Sequence, residues 1–258
     1  MIIDLHTHTI FCDGKNTPEE MVLSAIEKNI DILGIAFHSY VTFDDVCIKK
    51  DGETEFINEI SKLKEKYQDK IKILCGVEQD YFSGKPQHNF DYVIGSVHYI
   101  EKDNQYFIID IDPEMIPTLV KNYYDNDVYA FIEEYYQMVS EIPSTTNADI
   151  IGHIDLVSKF NEIKNLFDDQ NPRYIKAYQS AIDKIIPYGT IFEINTGAIS
   201  RGYRTTPYPS NDIIEYIKEK GGKFILSSDS HNKDNLGFMF DRCRDMANNL
   251  NLKMQENI

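Results

Sequence analysis

The sequence has no apolar run near the ~18 residues of a membrane span, no excess of positive charge and no paired cysteines. The 258-residue chain carries 42 acidic and 26 basic side chains, a net charge of −16, so its average surface repels a nucleic-acid backbone or an anionic membrane. Its four cysteines form no CxxC pair and no disulfide framework, which indicates reduced thiols. No basic residue precedes Lys15. We therefore expect a cytoplasmic protein without nucleic-acid or membrane partners.

The chain also lacks the motifs of several common chemistries. It contains no P-loop, no GxGxxG fingerprint and no nucleophile elbow of the Ser-His-Asp enzymes. The glycine pair Gly221-Gly222 follows an amphipathic stretch with a basic last turn, which is typical of a helix stop. These absences leave the classical nucleotide-binding and serine-hydrolase chemistries without support.

Short segments rich in Ile, Val and Phe recur along the chain and are typical of buried parallel strands. The seven segments are residues 2–5, 32–37, 71–77, 92–97, 149–152, 190–195 and 223–227. Most precede a stretch with helix signals, such as Thr17-Pro18-Glu19-Glu20. The alternation without a linker predicts an α/β fold with a single barrel domain over residues 1–258; an open doubly wound sheet is the alternative.

The longest interval between predicted strands contains an acidic and aromatic stretch, residues 99–127. An excursion of this length between two elements of a compact domain is uncommon and is often functional. We predict a lid-like insertion there; a surface excursion without a role at the site is the alternative.

Side chains of the types that bind metal ions lie where the predicted strands end. The set comprises His6, His8, Asp13, His38, Glu78, His98, His153, Asp229 and His231. In barrel enzymes the carboxyl ends of the strands carry the chemistry, so a closed barrel would bring all nine to one mouth. A single strand-end histidine is more often a polar cap. So many ionisable groups in one cleft would, however, be desolvated against each other unless metal ions joined them.

The spacing within this set supports metal binding. In His6-Thr7-His8 and Asp229-Ser230-His231 the outer side chains of an extended segment point to one side and can grip one cation. Imidazole and carboxylate ligands suit Zn²⁺, Mn²⁺ or Fe²⁺. Nine ligands exceed the needs of one ion, so we expect two or three divalent ions with Glu78 as a bridge. We interpret His88 as a loop residue and Cys12 as a passive thiol.

These motifs resemble those of the PHP (polymerase and histidinol phosphatase) family. The resemblance rests on His6-Thr7-His8, His38, Gly76-Val77-Glu78, Gly95-Ser96-Val97-His98, Gly152-His153-Ile154-Asp155 and Ser228-Asp229-Ser230-His231. The segments Phe192-Glu193-Ile194-Asn195-Thr196-Gly197 and Tyr208-Pro209-Ser210 resemble the histidinol-phosphatase branch. The motif set is specific for the family and less specific for the substrate.

The resemblance implies a distorted, TIM-like (β/α)7 barrel with a trinuclear metal site at the carboxyl ends of its strands. It implies one ion held by His6, His8, Glu78 and Asp229, a second by Glu78, His98 and His153, and a third by Asp13, His38 and His231. Some family members have histidine where this chain has Asp13, a difference that affects metal preference or occupancy rather than the existence of the site.

A phosphate substrate needs donors besides the metal ions. Two of the five arginines, Arg201 and Arg204, follow the sixth predicted strand and are candidate phosphate ligands, with a solvated surface role as the alternative for each. The resemblance implies a further cation after strand five, where this chain has Lys159 rather than arginine.

The residues predict a metal-dependent phosphomonoesterase with a hydroxide between two metal ions as nucleophile. The resemblance to the histidinol-phosphatase branch implies that it hydrolyses L-histidinol phosphate in histidine biosynthesis. We expect Asp229 and His153 to be catalytic. Acidic residues near the mouth, such as Asp44, Asp45 and those of residues 99–127, are candidates for selecting the cationic part of this substrate. The alternatives are a phosphoesterase for a nucleotide, a sugar phosphate or phosphotyrosine and, in another class, a non-catalytic metal-binding module. The oligomeric state stays open.

Overall fold

The computed structural model describes residues 1–256 and contains nine strands in that range. The strands are β1 (Ile3–Asp4), β2 (Ile32–Ile35), β3 (Lys72–Asp80), β4 (Tyr92–Ser96), β5 (Tyr99–Lys102), β6 (Gln105–Ile108), β7 (Ile150–Ile151), β8 (Ile191–Asn195) and β9 (Lys223–Ser227). Seven of them form one parallel sheet in the order β1-β2-β3-β4-β7-β8-β9. Each of these seven coincides with a predicted segment, and the prediction of a barrel rather than an open sheet is confirmed.

Helices follow the barrel strands on the outside of the sheet. Within residues 1–256 they are α1 (Pro18–Glu27), α2 (Gly52–Tyr67), α3 (Met115–Tyr123), α4 (Val128–Thr146), α5 (Asn161–Lys164), α6 (Pro172–Ile185), α7 (Gly197–Ser200), α8 (Asn211–Glu219) and α9 (Phe240–Asn249). Helix α1 begins with the predicted cap, because Thr17 Oγ1 accepts the Glu20 amide while the Glu20 carboxylate accepts the Thr17 amide. None of the described helices has the length and apolar character that a membrane crossing requires.

The barrel closes at its carboxyl end, next to the predicted site. Strands β1 and β9 share no ladder within the described residues, but the segments that follow them form a parallel bridge between Thr7 and Ser230. The His8 amide donates to Ser230 O at 2.8 Å, and the Ser230 amide donates to His6 O at 3.1 Å. The first and last strands of the sheet are thus joined through the backbone of two pairs of candidate ligands.

An aromatic side chain fills the barrel interior below the site. Tyr92 of β4 is fully buried and packs among aliphatic side chains of neighbouring strands, and its hydroxyl donates to Leu5 O. A Cβ atom at Gly76 of β3 would lie 2.1 Å from Tyr92 Cζ, so this position requires glycine. The filled interior leaves the strand ends as the face available for chemistry.

The 99–127 insertion is an antiparallel hairpin of β5 and β6 followed by α3. Its turn residues Asp103 and Asn104 have φ of +53° and +59°, the left-handed conformation that a tight hairpin turn uses. Ile100 and Ile116 of the insertion are buried in the main apolar cluster between sheet and helices. The insertion is therefore packed against the barrel. The division into a single domain with a lid stays a prediction, and residues 257–258 lie outside the described part.

Candidate metal centre

All nine predicted ligands lie together at the carboxyl end of the barrel. Four groups of donors have ligand atoms within 4.8 Å of one another: His8, Asp13, His38 and His231; His6, Glu78 and His153; His6, His8 and Asp229; and His38, Glu78 and His98. The groups share members, so the donors form one continuous cluster. The structure brings the predicted residues together, and their individual assignment to ions stays a prediction.

Glu78 is the centre of the cluster. Five histidines approach its two carboxylate oxygens at 2.9–3.4 Å: His6, His8 and His38 at Oε2, and His98 and His153 at Oε1. The register of β3 against β4 places Glu78 beside Ile94, and the hydroxyl of Ser96 donates to Oε1 at 2.7 Å. One carboxylate touching five imidazoles has the geometry that a bridging ligand needs.

A second carboxylate closes the outer side of the cluster. Asp13 Oδ1 lies 3.4 Å from His38 Nε2, and Asp13 Oδ2 lies 3.0 Å from His231 Nε2. The ring of His8 stacks between His38 and His231, with centroid distances of 4.3 Å to each. Asp13 thus reaches the position that the resemblance implies, and its side chain is 31% exposed where the inner ligands are buried.

Orphaned polar atoms show that the cluster fits a metal ion. His6 Nε2, His8 Nε2 and Glu78 Oε2 are buried without a hydrogen bond in the described chain. His6 Nε2 and Glu78 Oε2 approach to 3.1 Å, but not in hydrogen-bond geometry. Buried polar atoms are normally satisfied, and convergent imidazole and carboxylate donors are the ligands of Zn²⁺ and similar divalent ions. The donor set therefore suits a divalent metal ion.

The pKa shifts of His8 and Glu78 favour the same interpretation, whereas at His6, His38 and His98 the surrounding carboxylates outweigh burial and raise the pKa of the imidazole. Burial lowers the pKa of His8 to about 3, and the neighbouring His38 and His231 act in the same direction. Burial acts to raise the pKa of Glu78, but the surrounding imidazoles outweigh it and hold this pKa well below its ordinary value. A neutral imidazole and an ionised carboxylate are the forms that coordinate metal ions.

Two acidic residues that the sequence did not single out as site residues hold the ligands in place. Glu193 of β8 is buried, and its Oε1 accepts His6 Nδ1 at 2.6 Å while its Oε2 accepts the His153 amide at 2.8 Å. Asp80 Oδ2 accepts both the amide and Nδ1 of His98, at 3.0 and 3.2 Å. Their signal in the sequence is an acidic residue within or at the end of a strand: Glu193 is the third of the five residues of β8, and Asp80 is the last residue of β3.

Arg201, which directly follows α7, contacts the candidate ligand Asp229. Its Nη2 donates to Asp229 Oδ2 at 2.9 Å, and its Nη1 donates to the Asp229 carbonyl at 3.0 Å. Asp229 has a φ of +49°, an unfavourable conformation for a residue other than glycine and one that occurs at functional sites. A Cβ at Gly197 would come within 2.8 Å of both Asp229 Oδ2 and Arg201 Nη2, so the close approach requires glycine.

The other two predicted phosphate ligands differ in their surroundings. Lys159 lines the cavity above the cluster, and its Nζ lies 3.0 Å from Asp110 Oδ2. Arg204 is 7% exposed and does not line the cavity. Its guanidinium instead donates to Asp155 Oδ2 and Ser158 Oγ and lies over the Tyr208 ring. Both terminal nitrogens of Arg204 are engaged within the protein, whereas its Nε is buried without a partner in residues 1–256, and its phosphate contact stays a prediction.

A cavity of about 290 Å³ opens onto the cluster. The ligands Asp13, His38, His98, His153, Asp229 and His231 form its floor. The insertion contributes one wall through Tyr99, Ile108, Asp110 and Ile111, and loop residues Asp44 and Val46 lie beside it. This volume is at the small end for ligand sites, so it suits a small molecule.

Two residues outside the predicted ligand set are interpreted from the sequence as a loop residue and a passive thiol. His88 lies in an exposed loop away from the cluster, with its Nε2 3.6 Å from Glu53 Oε2. Cys12 lies beside the cluster, and its Sγ contacts His8 Nδ1 at 3.4 Å.

Comparison with known proteins gives the same family. The PHP domain model matches residues 4–197. A probable histidinol-phosphatase of Schizosaccharomyces pombe is 31% identical over 72% of this chain, and the match spans 62% of that protein. The histidinol-phosphatase of Bacillus subtilis is 26% identical over 92% of this chain and 96% of its own length.

The fold also matches a solved structure. The crystal structure of histidinol phosphate phosphatase from Lactococcus lactis, complexed with zinc, L-histidinol and phosphate, superposes with a TM-score of 0.76 at 19% identity. The alignment covers 98% of this chain and 95% of that one. With the domain model covering most of the barrel and the candidate metal ligands gathered at its mouth, the chain belongs to the PHP domain family.

Proposed function

We propose that the protein is a metal-dependent phosphatase that hydrolyses L-histidinol phosphate to L-histidinol and phosphate. The observation that carries this proposal is a small cavity with a polynuclear donor cluster as its floor and two cationic side chains, Arg201 and Lys159, on its walls. Relatives named histidinol-phosphatase that align over nearly the whole chain, and a relative of the same fold with L-histidinol and phosphate bound, support this substrate.

We propose that the cluster holds two to three divalent ions, Zn²⁺, Mn²⁺ or Fe²⁺, in the cytoplasm, with the nine predicted residues as ligands and Glu78 as the bridge. Bound there, the ions would supply positive charge beside the phosphoryl group and would lower the pKa of a water toward neutrality. The mixed imidazole and carboxylate set supports this choice of metals.

Arg201 and Lys159 bind the phosphate in this proposal. The Arg201 guanidinium is held by two hydrogen bonds to Asp229, so its orientation is fixed before a substrate arrives. Its Nε is buried without a partner in the described residues. Lys159 is 7% exposed and packs against the rings of Phe160 and Tyr203, which limits the motion of its ammonium group. Two fixed cations oppose the negative charge of the chain at the phosphate.

Asp229 and His153 take part in the reaction directly. Asp229 is an ionised carboxylate, since Arg201 and the nearby histidines hold its pKa well below the ordinary value against the effect of burial. Because a carboxylate with so low a pKa is a weak base, we assign Asp229 the role of a ligand that faces the substrate and orients Arg201, rather than that of the proton acceptor. His153 lines the cavity, and its Nε2 lies 3.0 Å from Glu78 Oε1. It therefore contacts the proposed bridging carboxylate and also faces the space for the substrate.

The competing candidates are a nucleotide, sugar phosphate or phosphotyrosine phosphatase and a non-catalytic metal-binding module. Phosphate release from L-histidinol phosphate, beside a panel of those esters and with Zn²⁺, Mn²⁺ and Fe²⁺ loaded in turn, tests the proposal. We expect kcat/KM above about 10⁴ M⁻¹s⁻¹ for L-histidinol phosphate and far lower values for the others. Preference for another ester would overturn the substrate assignment, and metal binding without any turnover would favour the binding module.

A further inference from the structure

The cavity contains one carboxylate that the metal cluster does not use and that has a free oxygen. Two acidic residues line the cavity outside the cluster, Asp44 and Asp110. Both oxygens of Asp44 are engaged, because Oδ1 accepts the Val46 amide at 2.9 Å and Oδ2 accepts the Tyr99 hydroxyl at 2.7 Å. Asp110 Oδ2 accepts from Lys159 at 3.0 Å, whereas no donor within residues 1–256 reaches its Oδ1.

The backbone beside Asp110 is anchored to the metal centre. Ile109 is fully buried, and its amide donates to the carbonyl of the candidate ligand His98 at 3.0 Å. The Asp110 side chain is 19% exposed, so it faces the cavity rather than bulk solvent. The position of this carboxylate relative to the cluster is therefore set by the fold.

A carboxylate at this place is unfavourable for a simple phosphate ester. A phosphate dianion and Asp110 in one partly desolvated cavity repel each other, and Lys159, which already pairs with Asp110, has to serve both anions. A positive charge on the alcohol part of the ester would be attracted to Asp110 and would offset this repulsion. A carboxylate at this position would therefore discriminate between esters by the charge of the leaving alcohol.

We propose that Asp110 is the specificity-determining residue that accepts the protonated amine of an amino-alcohol phosphate, with Lys159 shared between Asp110 and the phosphate. This inference rests on the proposed function and assigns its selectivity to one side chain. The chemistry requires an ammonium group close to the phosphate ester, which L-histidinol phosphate has and sugar phosphates lack.

The test compares Asp110→Asn with the wild-type enzyme on three esters. They are L-histidinol phosphate, its analogue without the amine, 3-(imidazol-4-yl)propyl phosphate, and an analogue without the ring, 2-aminopropyl phosphate. We expect the variant to lose about 10-fold or more in kcat/KM on both amines, since a charge-assisted hydrogen bond is lost, and to equal or exceed the wild type on the amine-free ester. Inhibition by L-histidinol should weaken by a similar factor.

Asp103→Asn is the matched control, because Asp103 belongs to the same insertion but is not among the residues that line the cavity, and it lies at an exposed turn with φ of +53°, a conformation that asparagine also adopts. It should leave all three rates unchanged. Equal loss on all three esters in Asp110→Asn, or loss only on esters that carry the ring, would overturn the inference while the proposed function stands. A wild-type enzyme that hydrolyses none of the esters would overturn both.

Discussion

The floor and the wall of the cavity are built in different ways. The floor consists of strand-end side chains whose mutual positions follow from the register of a parallel sheet and from buried acids such as Glu193. The wall that contrasts with it is the one that comes from the insertion between β4 and β7, where Tyr99 begins the antiparallel hairpin and Asp110 follows it. If the proposed roles of these residues hold, the reaction and the choice of substrate are encoded in separate parts of the chain. Changes in the floor should therefore abolish turnover, whereas changes in the wall should redistribute it among substrates.

The largest effect is expected from the floor. Asp229→Ala and His153→Ala should each lower kcat/KM by more than about 1,000-fold, because each removes a candidate ligand that faces the substrate. Circular dichroism should show that the fold persists. Asp241→Ala removes an acidic side chain that is 98% exposed and should retain wild-type activity. Activity retained in both floor variants would contradict the site assignment.

The next effect concerns the residues behind the floor. Glu193→Gln should weaken metal binding by about 10- to 100-fold, since the amide no longer fixes the His6 ring with a charged acceptor. Metal content after dialysis against a graded chelator measures this without reference to turnover. The exposed Glu215→Gln is the control. Unchanged metal retention in Glu193→Gln would show that the strands position His6 without help.

Arg201 and Arg204 sharpen the comparison because they are three residues apart and differ in their surroundings. Arg201→Lys should lower kcat/KM by about 10-fold or more, because lysine cannot contact Asp229 and a phosphate with separate donors of one planar group. Arg204→Lys should mainly lower the melting temperature, since this side chain joins Asp155 and Ser158 inside the protein. Steady-state kinetics and thermal unfolding of both variants separate the two roles. The reverse pattern would favour the predicted phosphate role of Arg204.

The smallest effect is expected at Gly197. Gly197→Ala should cost about 1–3 kcal/mol of unfolding free energy and lower kcat several-fold, because the added methyl displaces Asp229 and Arg201. Gly84→Ala is the contrasting variant. Its φ of +69° makes alanine unfavourable, but nothing lies within 4 Å of the added Cβ, so stability should fall without a change in kcat. Equal kcat in both variants would show that the cluster adapts to the methyl.

Much of the floor could be predicted from the sequence, and little of the wall. An apolar segment that ends at His6 or His38 predicts a strand, and the histidine at its end predicts a ligand. Both predictions follow from the local order of residues. Glu193 was not predicted as a site residue, because its role depends on hydrogen bonds with His6 and His153, which follow β1 and β7 and are far away in sequence. The hairpin within residues 99–127 carries its turn signal in Asp103-Asn104, yet which of its acids faces the cavity follows only from packing. The surroundings of Arg201 and Arg204 diverge for the same reason.

The bridge between Thr7 and Ser230 has a consequence for the order of folding. It joins segments more than 200 residues apart in the chain, and His6 and Asp229 stand on its two sides. Contacts of such long sequence separation form only after a large loss of chain entropy, and this places them late in folding. We therefore expect the candidate centre to be completed by the step that joins the two ends of the sheet, and a partly folded chain to be inactive.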